Sequence, residues 1–179
     1  KTLAVEDSVF ENNKAEYLIY AFEEGEAKNT RFLNNPEATA VLASFEFTIS
    51  GCEFVSNRNG ISEDNYGGEI RIRNSRFSNN TNAIYVDTFY IDIDIDNSSF
   101  SGSKSYGIYT LGNTKVSNSN FTANRVAFKS QTPLEEAYDI PVANNAAFSN
   151  CIFKSKTAVA IVTDNSLTVE NSIFEANHG

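Results

Sequence analysis

Apolar and polar positions alternate along this chain in short runs, and the runs recur. Val5, Ala27, Ile49, Ile72, Ile95, Val116, Phe148 and Val169 each stand five residues before a phenylalanine. Two residues further back, most copies carry another apolar or small residue: Leu3, Gly25, Phe47, Ile70, Ile93, Ala146 and Leu167. Alternation with period two predicts a β-strand with one face buried. The phenylalanines are Phe10, Phe32, Phe54, Phe77, Phe100, Phe121, Phe153 and Phe174, at gaps of 22, 22, 23, 23, 21, 32 and 21 residues. Three residues before them come Asp7, Asn29, Gly51, Asn74, Asn97, Asn118, Asn150 and Asn171, types that tolerate a left-handed turn. Ser8, Thr30, Cys52, Ser75, Ser98, Ser119, Cys151 and Ser172 follow, all small, and face inward with the Phe on a second short strand.

Asn13, Asn35, Asn57, Asn80, Asn124 and Asn177, three residues after Phe, mark another bend. A small residue recurs beyond it, at Ala15, Ala38, Gly60, Ala83, Gly107, Ala127 and Ala158, and leads into apolar stretches such as residues 83–86, 107–109 and 158–162. These predict a third strand. The unit reads Φ-x-Φ-x-N-S-x-F-x-x-N, and a period of this size is the mark of a solenoid. Three short strands and three bends per unit predict an all-β fold, a right-handed parallel β-helix of about eight coils, since crossovers between parallel strands are right-handed. Equivalent positions stack at about 4.8 Å, giving a rod about 38 Å long. No window sustains the helical apolar pattern, and Asn, Ser, Thr, Phe and Ile dominate. Full burial of each Phe contributes roughly 2–3 kcal/mol, so the Phe column is expected to be a main stabiliser, with in-register Asn side chains bonded along the axis.

The repeated F-x-x-N element, together with Gly67-Gly68-Glu69-Ile70 as a G-G-x-I element, resembles the repeats of the chlamydial polymorphic membrane proteins. More broadly it resembles pectin-lyase-like right-handed β-helices, including large surface proteins of protists. The resemblance covers nearly the whole chain. It implies surface display and adhesion, on a passenger that in the chlamydial family precedes a membrane barrel; no barrel segment is present in these residues.

The 179 residues suit one domain, residues 1–179, with a protruding loop insertion at 129–145. The first coil begins almost at Lys1 and the last stops at Gly179, without the polar caps that solenoid ends need. The expectation is a segment of a longer β-helix, so the absence of a signal peptide and of any Met leaves location open. A net charge of −9 and a pI of about 4.6 argue against nucleic acid and anionic membrane as partners. No apolar run reaches the length of a membrane-spanning helix. Cys52 and Cys151 share the inward column but sit four coils, or about 19 Å, apart, beyond disulfide reach. Both read as small buried hydrophobes.

Candidate chemistry is sparse. Ile91-Asp92-Ile93-Asp94-Ile95-Asp96 buries three Ile and displays three Asp, an arrangement that can hold Ca²⁺ and that β-helix pectate lyases use. The expected register sets Arg71 and Lys115 beside Asp94 and Arg73 beside Asp96, which favours a charge ladder over a metal site. His178, the one histidine, lies at the chain end without an evident partner, and no polygalacturonase-like G-H-G element accompanies several Asp. No catalytic residue and no cofactor is expected. The long interval after Phe121, with Pro133 and Pro141, predicts a loop outside the ladder whose Glu135, Glu136, Tyr138 and Asp139 are candidates for recognition. Residues 57–66 form a smaller irregular stretch. Asn79, Asn97 and Asn120 head glycosylation sequons; Asn97 belongs to a ladder, leaving Asn79 and Asn120 as the outward candidates.

The leading functional expectation is a non-catalytic structural or adhesive segment of a large surface or secreted protein, extracellular or at the cell surface. Its expected partners are neighbouring coils or subunits end to end, or a host or cell-surface protein or glycan. One alternative is a carbohydrate-active lyase, hydrolase or epimerase whose active site lies outside this segment. A second is an intracellular scaffold, which two unpaired thiols allow.

Overall fold

The computed structural model describes residues 2–64, 66–88, 90–131, 144–154 and 159–177. The first coil comprises β1 (Leu3–Glu6), β2 (Val9–Glu11) and β3 (Tyr17–Ala21), and the second β4 (Gly25–Lys28), β5 (Arg31–Leu33) and β6 (Thr39–Ala43). The third holds β7 (Phe47–Ser50), β8 (Glu53–Val55) and β9 (Asn59–Glu63); the fourth β10 (Gly68–Arg73), β11 (Arg76–Ser78) and β12 (Asn82–Val86). The fifth holds β13 (Ile91–Asp96), β14 (Ser99–Ser101) and β15 (Tyr106–Thr110); the sixth β16 (Thr114–Ser117), β17 (Asn120–Thr122) and β18 (Val126–Ser130). The seventh holds β19 (Asn145–Ser149), β20 (Ile152–Lys154) and β21 (Val159–Thr163), and β22 (Ser166–Glu170) and β23 (Ile173–Glu175) begin an eighth. First, second and third strands stack into three parallel sheets, A, B and C, of 8, 8 and 7 strands. The fold is therefore the expected right-handed parallel β-helix, with seven full coils and two strands of the next. No helix occurs among the described residues.

The Phe column is one continuous stack. Successive rings from Phe10 to Phe174 lie 4.6–5.1 Å apart, their planes within 12° of parallel. That spacing is the inter-strand rise, and it falls in the range of offset aromatic stacking. Rings Phe32 to Phe153 of the column are completely buried; Phe174 at the last coil is half exposed. Where the apolar column seven before Phe skips a copy, Thr114 fills the rung between Ile93 and Ala146.

Two corners of the coil use left-handed backbone, the second corner of the seventh coil lying outside the described residues. The first is the Asp/Asn column, Asp7 to Asn171, with φ between 47° and 52°, and 63° at Gly51. The second falls one residue earlier than expected, at Asn12, Asn34, Ser56, Asn79, Gly102, Ala123 and Ala176, with φ between 51° and 64°. The Asn three after Phe is thus released from the turn and points inward. Asn35, Asn80 and Asn124 are fully buried. Their amides are satisfied along the axis: Asn57 Nδ2 donates to Asn80 Oδ1 (3.1 Å) and to the Phe32 carbonyl (3.0 Å), and Asn35 Nδ2 donates to Asn57 Oδ1 (2.8 Å).

The small column before Phe is a second relay. Backbone N–H of Cys52, Ser75 and Ser98 donates to Ser75, Ser98 and Ser119 Oγ in turn, each at 3.1 Å, and each hydroxyl donates to the carbonyl two residues before it. Small size admits the side chain; the hydroxyl satisfies an N–H the tight turn leaves unpaired.

The small column of the third strand needs correction. The observed register aligns Leu18, Ala40, Gly60, Ala83, Gly107, Ala127 and Ala160, so Ala15 and Ala38 are not its members, and the expected Ala158 lies outside the described residues. The connection from Phe to the third strand varies in length, which slips a count made from Phe. Gly60 and Gly107 are required there, because a Cβ on either would fall 2.5 Å from a carbonyl oxygen of the next coil. The expected insertion at 129–145 overlaps the ends of β18 and β19, and residues 132–143 between them lie outside the described residues.

Phe100→Ala should destabilise by roughly 3–5 kcal/mol, whereas Ser99→Ala beside it should be nearly neutral; urea unfolding of both variants checks this. A second expectation comes from a break in the inner ladder. Ser103 stands where Asn80 and Asn124 have Asn, and its Oγ is buried without a partner. Ser103→Asn restores bonds to both neighbours and should raise stability by about 1–2 kcal/mol, a rise of a few degrees in melting temperature.

Candidate functional site

Of the three sheets, sheet A carries the most charged residues. Ile91, Ile93 and Ile95 are buried, and Asp92, Asp94 and Asp96 project outward between them. The strand register is the expected one, Arg71 opposite Asp94 and Arg73 opposite Asp96, with Lys115 beyond Asp94. The contacts are not. Arg73 reaches diagonally, its Nη2 2.5 Å from Asp94 Oδ2 and its Nη1 2.8 Å from the Asp94 carbonyl. Arg71 bonds Glu46 at 3.0 Å and Glu69 on its own strand. Lys115 forms no ion pair among the described residues. Long side chains lean along the strand, so straight-across register does not dictate straight-across pairing.

The remaining carboxylates are held by neutral donors. Asp92 Oδ1 accepts from Asn113 Nδ2 at 2.9 Å. Asp96 Oδ1 accepts from Ser117 Oγ at 2.7 Å and Asn118 Nδ2 at 2.6 Å. Those two bonds hold the Asp96 carboxyl below the usual carboxylate range. Among the described residues, no three His, Cys, Asp or Glu groups gather as metal ligands. An open groove of about 750 Å³ runs along sheet A over coils four to eight, with Glu69, Asp92, Asp94, Lys115 and Glu170 among its lining.

Cys52 and Cys151 are free and buried, in coils three and seven. Burial pushes both thiols up, and Cys52 Sγ lies 3.3 Å from the Ala27 carbonyl. Asn97 is engaged as expected, its Nδ2 donating to Asn74 Oδ1 at 2.7 Å. Asn79 is exposed at the second corner, its Oδ1 lying against Gly102, and Asn120 is exposed at the start of β17. Glu135, Glu136, Tyr138, Asp139 and His178 lie outside the described residues.

Sequence reasoning missed an aromatic cluster between sheets C and A. Exposed Tyr20, Phe22, Phe45 and Tyr66 meet there, with Phe22 5.3 Å and Phe45 5.7 Å from Tyr66. The signal was present: at least one aromatic follows each of the first four third strands. It was masked because these connections differ in length. Gly67 and Gly68 form this turn, with φ of 87° and 141°, and a Cβ on Gly68 would lie 2.8 Å from the Phe45 carbonyl carbon.

Residues 1–146 match the family described as periplasmic copper-binding protein (NosD). No curated protein and no solved structure matches the chain.

The bonds to Asp96 set a pH dependence. A carboxyl with a depressed folded pKa contributes stability that is present above its unfolded value, near 4, and lost as pH falls through the folded value. Asp96→Asn should therefore lose less stability than the parent chain between about pH 5 and pH 3. Urea midpoints across that range check it, and parallel curves would refute the role given to Ser117 and Asn118.

Proposed function

Because the chain belongs to the NosD family, described as periplasmic, we propose that it is a non-catalytic segment of an envelope or cell-surface β-helix protein, a stiff rod used for architecture or adhesion. The observation that carries this reading is the state of the carboxylates on sheet A. Asp92, Asp94 and Asp96 are each held by a neighbouring coil, through Asn113, through Arg73, and through Ser117 and Asn118. Carboxylates engaged in this way support the stack and are poorly placed as acid or base. The internal Phe and Asn ladders supply the stiffness a rod requires, since each coil is stabilised by its neighbours.

The family description names copper. Copper sites draw on thiolate, thioether and imidazole donors. This chain has no Met and one His, His178, which lies outside the described residues; its two thiols are buried four coils apart. These residues do not fit a copper centre, and copper has no part in the proposed role.

A second reading has one observation behind it. The groove on sheet A combines carboxylates, amides and Lys115 along the axis, a surface on which a polysaccharide could lie. The test separates the two. Incubated with polyuronates and neutral glucans, the chain should release no new reducing ends above the Glu69→Gln, Asp94→Asn double variant. Turnover that this variant abolishes would replace the rod by an enzyme. Cell fractionation should place the protein outside the cytoplasm, and cytoplasmic retention would overturn the envelope assignment.

A further inference from the structure

The first four connections from sheet C to sheet A each display an exposed aromatic: Phe22, Phe45, Tyr66 and Tyr90, at 55, 37, 55 and 54% exposure. Tyr20, on the outer face of β3, extends the row, its ring 6.3 Å from Phe22. The fold does not need these rings, because the interior is filled by a different Phe column. A contiguous exposed apolar strip of this kind marks an interaction surface.

Its rim is acidic. Glu23 and Glu24 follow Phe22, Glu46 follows Phe45, Asp64 accepts the Tyr20 hydroxyl, and Asp87 opens the fourth connection. A groove of about 520 Å³ at this edge is lined, among the described residues, by Thr2, Glu23, Glu24, Phe45, Glu46 and Gly68. Its described lining thus includes three carboxylates and an aromatic. Arg71 reaches this edge from sheet A, where it bonds Glu46 and Glu69.

Aromatic faces beside carboxylates favour a cation, through the ring quadrupole and the charge together. The solenoid already uses this chemistry internally: Lys129 Nζ lies 5.8 Å and 6.0 Å over the rings of Tyr106 and Tyr109 on sheet C. We propose that the aromatic strip docks a segment of a partner protein that carries closely spaced lysines or arginines. The chain's charge of −9 opposes a second copy of itself in this role, and an anionic membrane surface equally. A neutral glycan would use the rings but not the charge. The inference supplies a partner class for the adhesive reading above and rests on it for the expectation of a protein partner.

The four connections span roughly 14 Å along the axis, the length of about four extended residues, so a short peptide is an adequate probe. A fluorescently labelled peptide of alternating Lys and Gly is titrated with the chain and followed by anisotropy. Binding should weaken as salt rises. The Phe22→Ser, Tyr66→Ser double variant should bind about fivefold to tenfold more weakly with its melting temperature unchanged, and Glu24→Gln should also weaken binding. Val162→Ser, a comparably exposed apolar site on sheet C, should bind as the parent does. Equal affinity in the aromatic variant would overturn the proposal, leaving diffuse attraction to an acidic protein. So would displacement of the peptide by a neutral oligosaccharide, or self-association of the chain that the aromatic substitutions abolish. None of these outcomes alters the polysaccharide assay, so the rod reading and the docking strip fail separately.

Discussion

The backbone ladder between coils sets the terms for every other interaction in this protein. Parallel strands join at a rise of about 4.8 Å, and each residue therefore sits over its equivalent in the next coil. Apolar residues become continuous columns, as the eight stacked Phe rings show. Buried polar residues face a stricter condition. An amide inside the coil would be costly without partners, and the only partners at hand are those one coil up or down. Asn meets the condition because its side chain both accepts from one coil and donates to the other, which is how Asn57 lies between Asn35 and Asn80.

The same constraint separates parts of the molecule that must repeat from parts that are free to vary. Sheet interiors and the first corner admit few residue types: a left-handed Asn or Asp with φ near 50°, a small hydroxyl, a Phe. The charged outer face of sheet A is intermediate. Its residues vary, yet Asp92, Asp94 and Asp96 are each bonded to a neighbouring coil, so much of the charge there holds register. The connections from sheet C to sheet A carry less of this duty, Glu46 with its bond to Arg71 being one that does. They change in length from coil to coil, and it is there that exposed aromatic rings and carboxylates collect.

Membership of the NosD family extends over residues 1–146, and it joins a fold whose repeats were legible to a chain whose donors do not match the metal in the family's description. The likeness lies in the coil. A β-helix requires its columns and places little demand on its outward positions, so relatives can share the stack and differ in what they bind.

By itself the sequence determined the period, the strand-turn-strand unit, the inward columns and the coil-to-coil register, down to Arg71 opposite Asp94. It could do so because these depend on local alternation repeated at a constant interval, and each copy reinforces the others. Only the tertiary structure decided the rest. It moved the second corner one residue before the Asn, since the inward amide must reach the Phe carbonyl of the preceding coil. It slipped the third-strand column to Leu18, Ala40 and Ala160, since connections of unequal length break a count taken from Phe. It paired Arg73 rather than Arg71 with Asp94, since side-chain reach and not register selects an ion pair. And it gathered Phe22, Phe45 and Tyr66 into one strip, since residues at unequal sequence spacing become neighbours only when the coils stack.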